Sequence, residues 1–231
     1  MLNIVCVLKT GGDFGMDYVI ALYNACRRNI TCTDYMFECF TDDEEILNAG
    51  LQGINLVKLA VDWKGWWSKF AVFTKKGATI YFDLDTVIVK NIDKFVEEVY
   101  NLEPNEFIGV EAFNPMRNRV ERTKFNSGVM GWNGNFGFIL ESFNYKEDSR
   151  NTTYCGDQDR ISEILRENYV EVFFWQDLLP GLYSYKRHIL NFKRSIPPKD
   201  ASVVCFHGQP RPRDVELSWV KENWKCKKIE T

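Results

Sequence analysis

The strongest constraint on the fold is an apolar stretch at residues 78–89 that is interrupted by two acids, Asp83 and Asp85. Such a stretch predicts a buried strand, and alternate residues of an extended strand face the same side of a sheet. We therefore expect Asp83 and Asp85 to point together, with Leu84 packed behind them. Because like charges repel and are costly to remove from water, a cation between the two acids is the simplest way to stabilise them.

The chemistry of the two acids predicts the kind of cation. Carboxylate oxygens are hard ligands that suit Mg²⁺ or Mn²⁺, and these ions commonly bridge a protein carboxylate to the phosphates of a substrate. In an open α/β sheet, ligands collect beyond the carboxyl ends of the strands, which is where Asp83 and Asp85 fall. The alternative interpretation is a strand end whose two acids cap a neighbouring turn.

Strand and helix patterns alternate along the chain. Short apolar runs predict strands at residues 3–8, 35–40, 54–59, 78–82, 107–111, 128–132, 170–174 and 202–206. Helical spacing of apolar residues predicts helices around residues 19–26, 67–75 and 159–168. This alternation predicts an α/β fold with a mainly parallel central sheet flanked by helices. Since no repeat, low-complexity tract or Gly/Ser linker interrupts the pattern, we expect a single domain over residues 1–231.

Composition excludes several classes of protein. Hydrophobic residues make up 45% of the 231 residues and aromatic residues 15%, which is too apolar for a disordered chain. No apolar stretch approaches the roughly 20 residues of a membrane-spanning helix, and no secretory signal pattern begins the sequence. The seven cysteines are scattered without a Cys-x-x-Cys pair, which favours reduced thiols over disulfides. These features predict a cytoplasmic protein.

Charge is uneven along the chain although the net charge is only −3. Residues 183–213 contain seven basic residues and one acid, a net charge of +6. An anionic partner is one interpretation, and a solvated surface that balances acid-rich stretches elsewhere is the other. The aromatic residues Tyr183, Tyr185 and Phe192 lie within this segment and could stack on exposed bases, so a nucleic acid is one candidate partner. Four lysines follow it, Lys221, Lys225, Lys227 and Lys228.

Four motifs in order resemble those of the GT-A fold glycosyltransferases, in particular the glycogenin-like, galactosyltransferase-like group. The first is the Asp83-Leu84-Asp85 motif after an apolar strand. The others are Phe125 to Met130 (Phe-Asn-Ser-Gly-Val-Met), Gly156 to Asp159 (Gly-Asp-Gln-Asp) and Phe206 to Pro212 (Phe-His-Gly-Gln-Pro-Arg-Pro). One Asp-x-Asp motif is weak because short acidic motifs arise by chance, whereas four in this order span most of the chain. The resemblance implies a nucleotide-binding half over about residues 1–100 and an acceptor half over about residues 101–231.

The resemblance also implies a role for individual residues. Asp83, Asp85 and His207 would form the metal site, and an imidazole among oxygen ligands favours Mn²⁺ over Mg²⁺. Asp157 and Gln158 would lie beside the anomeric centre, although Asp157 could instead cap a helix. The implied donor-binding residues are Lys9, Asp13, Tyr18, Lys69, Asp83, Asn126, Ser127, Gly208 and Arg211.

Some of these roles have alternatives. The family places a Lys where Arg211 stands, spaces its histidine farther from the following glycine, and ends the motif on a Trp that is absent after Pro212. These departures weaken the assignment of Arg211 to the diphosphate more than that of His207 to the metal. Trp63, Trp66 and Trp67 form an aromatic cluster that is either a sugar or base platform or core packing.

Together, the motifs predict a metal-dependent glycosyltransferase with a nucleotide-sugar donor, with uridine diphosphate as the expected nucleotide. The resemblance implies retention of anomeric configuration and leaves a glycan, a protein or a modified nucleic acid as the acceptor. Two alternatives remain. A nucleotidyltransferase also uses paired carboxylates and a divalent metal, but the sequence lacks the Gly-rich signature or third nearby acid expected of that class. A catalytically silent sugar- or nucleotide-binding module would not need every metal ligand.

Overall fold

The computed structural model describes residues 1–113 and 124–226. The strands of this part are β1 (Leu2–Leu8), β2 (Tyr35–Thr41), β3 (Asn55–Lys58), β4 (Lys76–Phe82), β5 (Thr86–Ile88), β6 (Glu106–Glu111), β7 (Phe125–Asn135), β8 (Glu171–Phe174), β9 (Leu182–Ser184) and β10 (Val203–Cys205). Its α-helices are α1 (Met16–Asn29), α2 (Glu44–Ala49), α3 (Asp93–Asn101), α4 (Gly137–Glu141), α5 (Tyr145–Asp148), α6 (Asp157–Glu167), α7 (Trp175–Leu178) and α8 (Ser218–Asn223). Two 3₁₀ helices, Gly65–Thr74 and Pro212–Asp214, and a π-helix, Tyr185–Leu190, complete it.

Seven strands form the central sheet, in the order β3-β2-β1-β4-β7-β6-β8. The pairs β1–β2, β2–β3, β1–β4 and β6–β8 are parallel, and β7 runs antiparallel to both of its neighbours. This arrangement confirms the predicted α/β fold with a mainly parallel sheet. A second sheet has three strands, in the order β5-β10-β9. Because β10 pairs with β5, the segment after β10, which contains His207, lies near β5.

Both faces of the central sheet are covered. Successive strand residues point to opposite faces, so Ile4 and Ile80 join one apolar cluster while their neighbours Val5 and Tyr81 join the other. The first cluster is closed by α1 and α3, and the second by the 3₁₀ helix that contains Phe70 and by α6. Burial on both faces explains why these strands are continuously apolar in the sequence.

The helix predicted at residues 67–75 is a 3₁₀ helix over Gly65–Thr74. Trp67, Phe70 and Phe73 are spaced by three residues, and all three are buried. A 3₁₀ helix has three residues per turn, so this spacing places the three rings on one face, toward the sheet. The prediction of a helix at this position is therefore confirmed, and the structure shows that it is of the 3₁₀ type.

The last third of the described chain forms a third apolar cluster. Phe206 stacks on Tyr185 with ring centroids 4.2 Å apart, and Trp219 of α8 packs against both rings. Lys227 and Lys228 of the basic tail lie outside the described residues. Across residues 1–113 and 124–226, no helix combines the length and apolar character needed to cross a membrane.

Candidate functional site

The Asp83-Leu84-Asp85 motif lies on a turn rather than within a strand. β4 ends at Phe82, and the amide of Thr86 donates a hydrogen bond of 3.0 Å to the carbonyl oxygen of Asp83, which reverses the chain into β5. The expectation of a continuous strand through Asp83 and Asp85 was wrong. Leu84 is nevertheless buried, as expected, and both acids reach the same cavity because the turn brings them there together.

A cavity of about 770 Å³ opens at the carboxyl ends of β1 and β4. That volume lies within the range of small-molecule sites, roughly 300–1,000 Å³. Its walls include all but one of the residues implied by the resemblance: Lys9, Asp13, Lys69, Asp83, Asp85, Asn126, Ser127, Asp157, Gln158, His207, Gly208 and Arg211. The fold thus gathers residues from four separate motifs around one space.

A buried lysine links two of the cavity's carboxylates. Lys69 Nζ lies 2.9 Å from Asp157 Oδ2 and 3.0 Å from Asp83 Oδ1, and it donates to Ser127 Oγ at 2.9 Å. Ser127 Oγ in turn donates to Asp157 Oδ2 at 2.5 Å. Burial alone would lower the pKa of Lys69, but Asp157 and Asp83 outweigh it and raise that pKa. Lys69 is therefore a cation held inside the protein by the acids, not a surface charge.

Tyr81 supports Asp83 from the preceding strand. Its hydroxyl donates to Asp83 Oδ1 at 2.6 Å, the same oxygen that faces Lys69. Burial raises the pKa of Asp83, while Lys69 opposes that rise. Sequence reasoning missed Tyr81, although its place two residues before Asp83 on β4 was a signal, because side chains two apart on a strand share a face.

Asp85 makes a separate ion pair with Arg211. The Arg211 Nη1 contacts Asp85 Oδ2, and Nη2 lies 3.0 Å from Asp13 Oδ2. The guanidinium also lies over the Phe14 ring, 4.6 Å from its centroid. Burial and the neighbouring charge of Asp83 raise the pKa of Asp85 to about 6, although Arg211 opposes this rise. Arg211 therefore lies against the motif acid in the cavity, 126 residues away in sequence.

His207 reaches the cavity from the end of β10. Its Nε2 lies 2.6 Å from Ser184 Oγ, and its ring stacks on Phe113 with centroids 5.5 Å apart. Burial, together with the nearby charges of Lys186 and Arg187, lowers the pKa of His207 to about 4. The imidazole is therefore neutral at pH 7, which is the form that binds metals.

The start of β7 forms another wall. Asn126 Oδ1 accepts from the amide of Gly128 at 2.9 Å, and its Nδ2 donates to Gln158 Oε1 at 3.1 Å. The Asp83 amide donates to the Gly128 carbonyl at 2.8 Å. A Cβ at Gly128 would lie only 2.9 Å from Asn126 Oδ1 and 3.4 Å from Asp83 Oδ2. A larger residue here would force the Asn126 side chain to shift, because the strand passes close to two cavity side chains.

Asp157 is the first residue of α6, and its side chain does not cap the helix. The alternative interpretation of Asp157 as a helix cap is not supported, because its carboxylate faces Lys69 and Ser127 instead. Asp159 does accept from the Cys155 amide, at 2.6 Å, which is a local structural role.

At the far side of the cavity, Lys9 follows β1 and pairs with two acids. Its Nζ contacts Asp42 Oδ2 and lies 3.2 Å from Asp62 Oδ1. Asp42 also accepts from the amide of Thr10 at 2.8 Å, which holds the loop after β1 against β2. Sequence reasoning identified Lys9 but not its partner Asp42, which directly follows β2.

Tyr18 is the residue that the structure places elsewhere. Its side chain is fully buried between Phe14 and Trp224, with ring centroids 4.8 and 5.0 Å away, and it does not line the cavity. The implied role of Tyr18 as a donor-binding residue is therefore corrected. Apolar spacing in α1 explains the burial, since Tyr18 belongs to the helix face that packs on the sheet.

The three tryptophans divide between packing and the cavity. Trp63 and Trp67 pack on Phe143, with ring centroids 4.9 and 5.4 Å away. Trp66 is 58% exposed and lines the cavity beside Gly156. Core packing is thus confirmed for Trp63 and Trp67, while Trp66 lines the cavity.

The donor set suits a divalent cation by its chemistry. Asp83, Asp85 and neutral His207 line the same cavity, and two carboxylates with an imidazole favour Mn²⁺. The two ion-paired groups contain four carboxylates, those of Asp13, Asp83, Asp85 and Asp157, but only two cations, Lys69 and Arg211. When all six are ionised, an excess of two negative charges remains, which a divalent ion would balance.

Asp83, Asp85 and His207 do not form a metal-binding cluster in this arrangement. Within residues 1–113 and 124–226, no group of three or more His, Cys, Asp or Glu side chains stands ready to hold a metal ion. Asp85 faces Arg211, Asp83 faces Lys69, and His207 faces Ser184. Arg211 and a metal ion would therefore compete for the Asp85 carboxylate.

Comparison with solved structures identifies the fold. The chain is similar to the glycosyltransferase GlyE of Streptococcus pneumoniae TIGR4, with a TM-score of 0.61 and 13% identity, over 96% of this chain and 60% of GlyE. It is equally similar to the galactosyltransferase LgtC, solved in complex with donor and acceptor sugar analogs, with a TM-score of 0.61 and 12% identity, over 96% of this chain and 93% of LgtC. The chain thus spans about three fifths of the length of GlyE.

The likeness is one of structure, not of sequence. No protein-family model and no curated protein matches the sequence. At 12–13% identity the similarity establishes architecture rather than activity. The resemblance suggested by the four motifs is confirmed at that level: the chain has the GT-A fold of glycosyltransferases such as GlyE and LgtC.

Proposed function

We propose that this protein is a metal-dependent glycosyltransferase that moves a sugar from a nucleoside diphosphate donor to an acceptor hydroxyl. The observation that carries the proposal is the clustering of Asp83, Asp85, Asp157, Lys69 and Arg211 around one cavity at the carboxyl ends of the strands. Acids and cations in one cavity suit a substrate whose diphosphate leaves with negative charge while its sugar carbon gains positive charge.

Asp83, Asp85 and His207 are the residues that would hold the metal. When bound, a divalent cation supplies charge that neutralises a leaving diphosphate. Arg211 would contribute to the same end, since a guanidinium is a good bidentate partner for phosphate and this one already lies in the cavity. Its pairing with Asp85 in the present arrangement means that it would change partners when the donor binds.

Asp157 is the proposed catalytic carboxylate, and it would lie beside the sugar of the donor. Its carboxylate is fixed by Lys69 and Ser127, and such fixed charge can stabilise an oxocarbenium-like transition state. Gln158 and Asn126, which are hydrogen-bonded to each other, would contact the sugar hydroxyls beside it. Lys69 lines the cavity and is a positioning residue, because its buried ammonium holds the two acids.

Three finer points of the proposal rest on the resemblance: uridine diphosphate as the nucleotide, retention of configuration, and Mn²⁺ as the preferred metal. The loop after β1, including Lys9 and Asp13, would receive the nucleotide, and Gly208 would approach the phosphates. The acceptor hydroxyl would belong to a glycan, a protein or a modified nucleic acid.

A second candidate function is a sugar- or nucleotide-binding module without catalysis. The observation that favours it is the contact between Arg211 and Asp85, which leaves the predicted metal ligands engaged with protein groups. Such a module would bind a nucleoside diphosphate through Arg211 with no requirement for metal.

One experiment separates the two functions. The purified protein is incubated with a panel of nucleotide sugars, with and without Mn²⁺, and released nucleoside diphosphate is measured, since many transferases slowly hydrolyse their donor. Melting temperature is recorded in parallel with uridine diphosphate and Mn²⁺, where a hundredfold excess over Kd stabilises by about 2.7 kcal/mol. Asp83→Ala and Asp85→Ala test the metal ligands, and Asp62→Ala, a 98% exposed acid at the cavity rim, is the matched control.

The expected result is Mn²⁺-dependent release of diphosphate and a Mn²⁺-dependent melting shift, both lost in Asp83→Ala and Asp85→Ala and kept in Asp62→Ala. Nucleotide binding that is independent of metal and unaccompanied by turnover would support the binding module. An undiminished Mn²⁺-dependent shift in both motif variants would overturn the metal site.

A further inference from the structure

The surface on the basic side of the molecule carries an unusual run of exposed residues. All seven residues from Leu190 to Ile196, called here the 190–196 loop, are exposed. Three of them are large and apolar: Leu190 is 46% exposed, and Phe192 and Ile196 are each 66% exposed. They account for three of the eight large apolar side chains that are exposed in the described residues. Concentration of exposed apolar surface in one segment marks an interaction site.

The backbone fixes the outward position of this loop. It begins at Leu190, the last residue of the π-helix Tyr185–Leu190, and Lys193 adopts a positive φ of 50°. The amide of Arg194 donates to the carbonyl of Ile189 at 3.0 Å, and that of Lys193 donates to Leu190 at 2.9 Å. This pair of bonds is a Schellman ending, which turns the chain sharply after the helix. Ile189 is fully buried beneath it, so the loop has a firm base.

Basic residues surround the apolar side chains. Lys193 and Arg194 belong to the loop, and Arg194 lies over the Phe192 ring at 5.3 Å. Exposed Lys199 follows it in sequence, and half-buried Lys186 and Arg187 precede it. The one acid in residues 183–200 is Asp200, whose carboxylate already accepts a hydrogen bond of 2.8 Å from the Tyr183 hydroxyl. The loop and its flanks are therefore strongly cationic.

We propose that the 190–196 loop binds the surface of an anionic lipid bilayer. Exposed Leu, Phe and Ile side chains can enter the boundary between headgroups and acyl chains, and neighbouring Lys and Arg side chains attract anionic headgroups. The loop combines both features on a short, turned segment, which binds at the surface and does not cross the bilayer. The proposal stands independently of the catalytic function.

A nucleic acid fits the same residues less well. Base stacking needs accessible aromatic faces, and aliphatic Leu190 and Ile196 offer none. Of the three aromatic residues that the sequence placed in this segment, Tyr185 is buried and stacked on Phe206. Tyr183 is hydrogen-bonded to Asp200. Phe192 alone is exposed, so the pattern of exposure favours lipid over bases.

Vesicle sedimentation of the full chain tests the proposal. The probes are phosphatidylcholine vesicles with and without about 30% phosphatidylglycerol, which models an anionic leaflet. Two variants divide the two contributions: Phe192→Ser with Ile196→Ser removes the apolar part, and Lys193→Glu with Arg194→Glu reverses the charge. Lys146→Glu with Arg150→Glu, two exposed basic residues on and just after α5, is the matched charge control. Tyr169→Ser, which changes a 92% exposed aromatic residue, is the apolar control.

The expected result is that the wild-type protein binds anionic vesicles and that each loop variant binds them at least about tenfold more weakly. The charge variant loses the attraction of two basic residues to the headgroups, and the apolar variant loses two side chains that enter the bilayer boundary. Both controls should bind as the wild type does, and circular dichroism should show all variants folded.

Three outcomes would overturn the proposal. One is no binding to anionic vesicles at low salt. Another is vesicle binding that is unchanged when Phe192 and Ile196 are replaced, because that would mean nonspecific attraction. The third is binding to single-stranded or duplex DNA that depends on the loop charges while vesicle binding is absent, which would assign the surface to nucleic acid.

Discussion

The ammonium of Lys69 lies 2.9 Å from the carboxylate of Asp157, and their side chains are only 7% and 10% exposed. The two residues come from different elements, the 3₁₀ helix Gly65–Thr74 and the first turn of α6. Because the same ammonium also lies 3.0 Å from Asp83, it balances charge on both sides of the cavity. The two acids proposed to act on a substrate are thus held in place by one buried ammonium between them.

Replacing Lys69 with Met should destabilise the protein by about 3–5 kcal/mol, because two carboxylates would lose their buried cation. Urea unfolding at pH 7 measures this change in the free energy of unfolding. The control is Lys58→Met, which removes a surface pair with Glu44 whose members are 66% and 63% exposed. That variant should change stability by less than about 1 kcal/mol. Equal effects at both positions would contradict the role given to Lys69.

Replacing Asp157 with Asn should lower kcat about a hundredfold while leaving donor affinity within about threefold, since the lost charge acts mainly on the transition state. Donor hydrolysis and a thermal titration with uridine diphosphate measure the two quantities. Asp159→Asn is the matched control, because it changes an acid that accepts only the local Cys155 amide among the contacts described. If the Asp157→Asn variant turned over at the wild-type rate, Asp157 would have a structural role and no catalytic one.

The ion pair between Lys9 and Asp42, after the end of β1, should make the stability of the protein depend on pH. Burial of Asp42 would raise its pKa, but Lys9 and Thr10 outweigh burial and lower that pKa from 3.8 to about 2. A depressed carboxyl pKa contributes stability above the unfolded value, and the contribution is lost as pH falls from 3.8 toward 2.

Asp42→Asn should therefore cost about 2 kcal/mol of unfolding free energy between pH 5 and 7, with the difference from wild type shrinking below pH 4. Urea unfolding across this range measures it. Asp62→Asn removes the second partner of Lys9, a side chain that is 98% exposed, and should have little effect at any pH. If the difference in unfolding free energy between Asp42→Asn and wild type grew as the pH fell, the direction given for the Asp42 pKa shift would be wrong.

Gly128→Ala should impair activity more than folding. The added methyl would lie 2.9 Å from Asn126 Oδ1, so Asn126 must move and its bond to Gln158 would be strained. Overpacking of this kind costs about 1–3 kcal/mol, and we expect a larger relative loss in donor hydrolysis. Gly137→Ala, at the start of α4 and outside the cavity, should keep wild-type activity. Unchanged hydrolysis in Gly128→Ala would mean that the close approach has no functional purpose.

The sequence determined the order of the central elements. Apolar periodicity depends only on neighbouring residues, so it located most strands of the sheet, α1 and α6 within a few residues. The nine-residue helix α3 was missed, as were the short elements β5 and β9 and several helices of four to six residues. Too few residues carry a period in the short segments, and tertiary packing determines their conformation.

The four motifs, through their resemblance to a known family, also predicted many of the residues that line the cavity. Only the tertiary structure decided how they pair. Lys69 with Asp157 and Arg211 with Asp85 are contacts over 88 and 126 residues of chain, and local spacing contains no information about such distances. The same limit applies to Tyr18, which the resemblance placed among the donor-binding residues. Its place on the packed face of α1 buried it, because the hydrophobic effect acts on the face of a whole helix rather than on one residue.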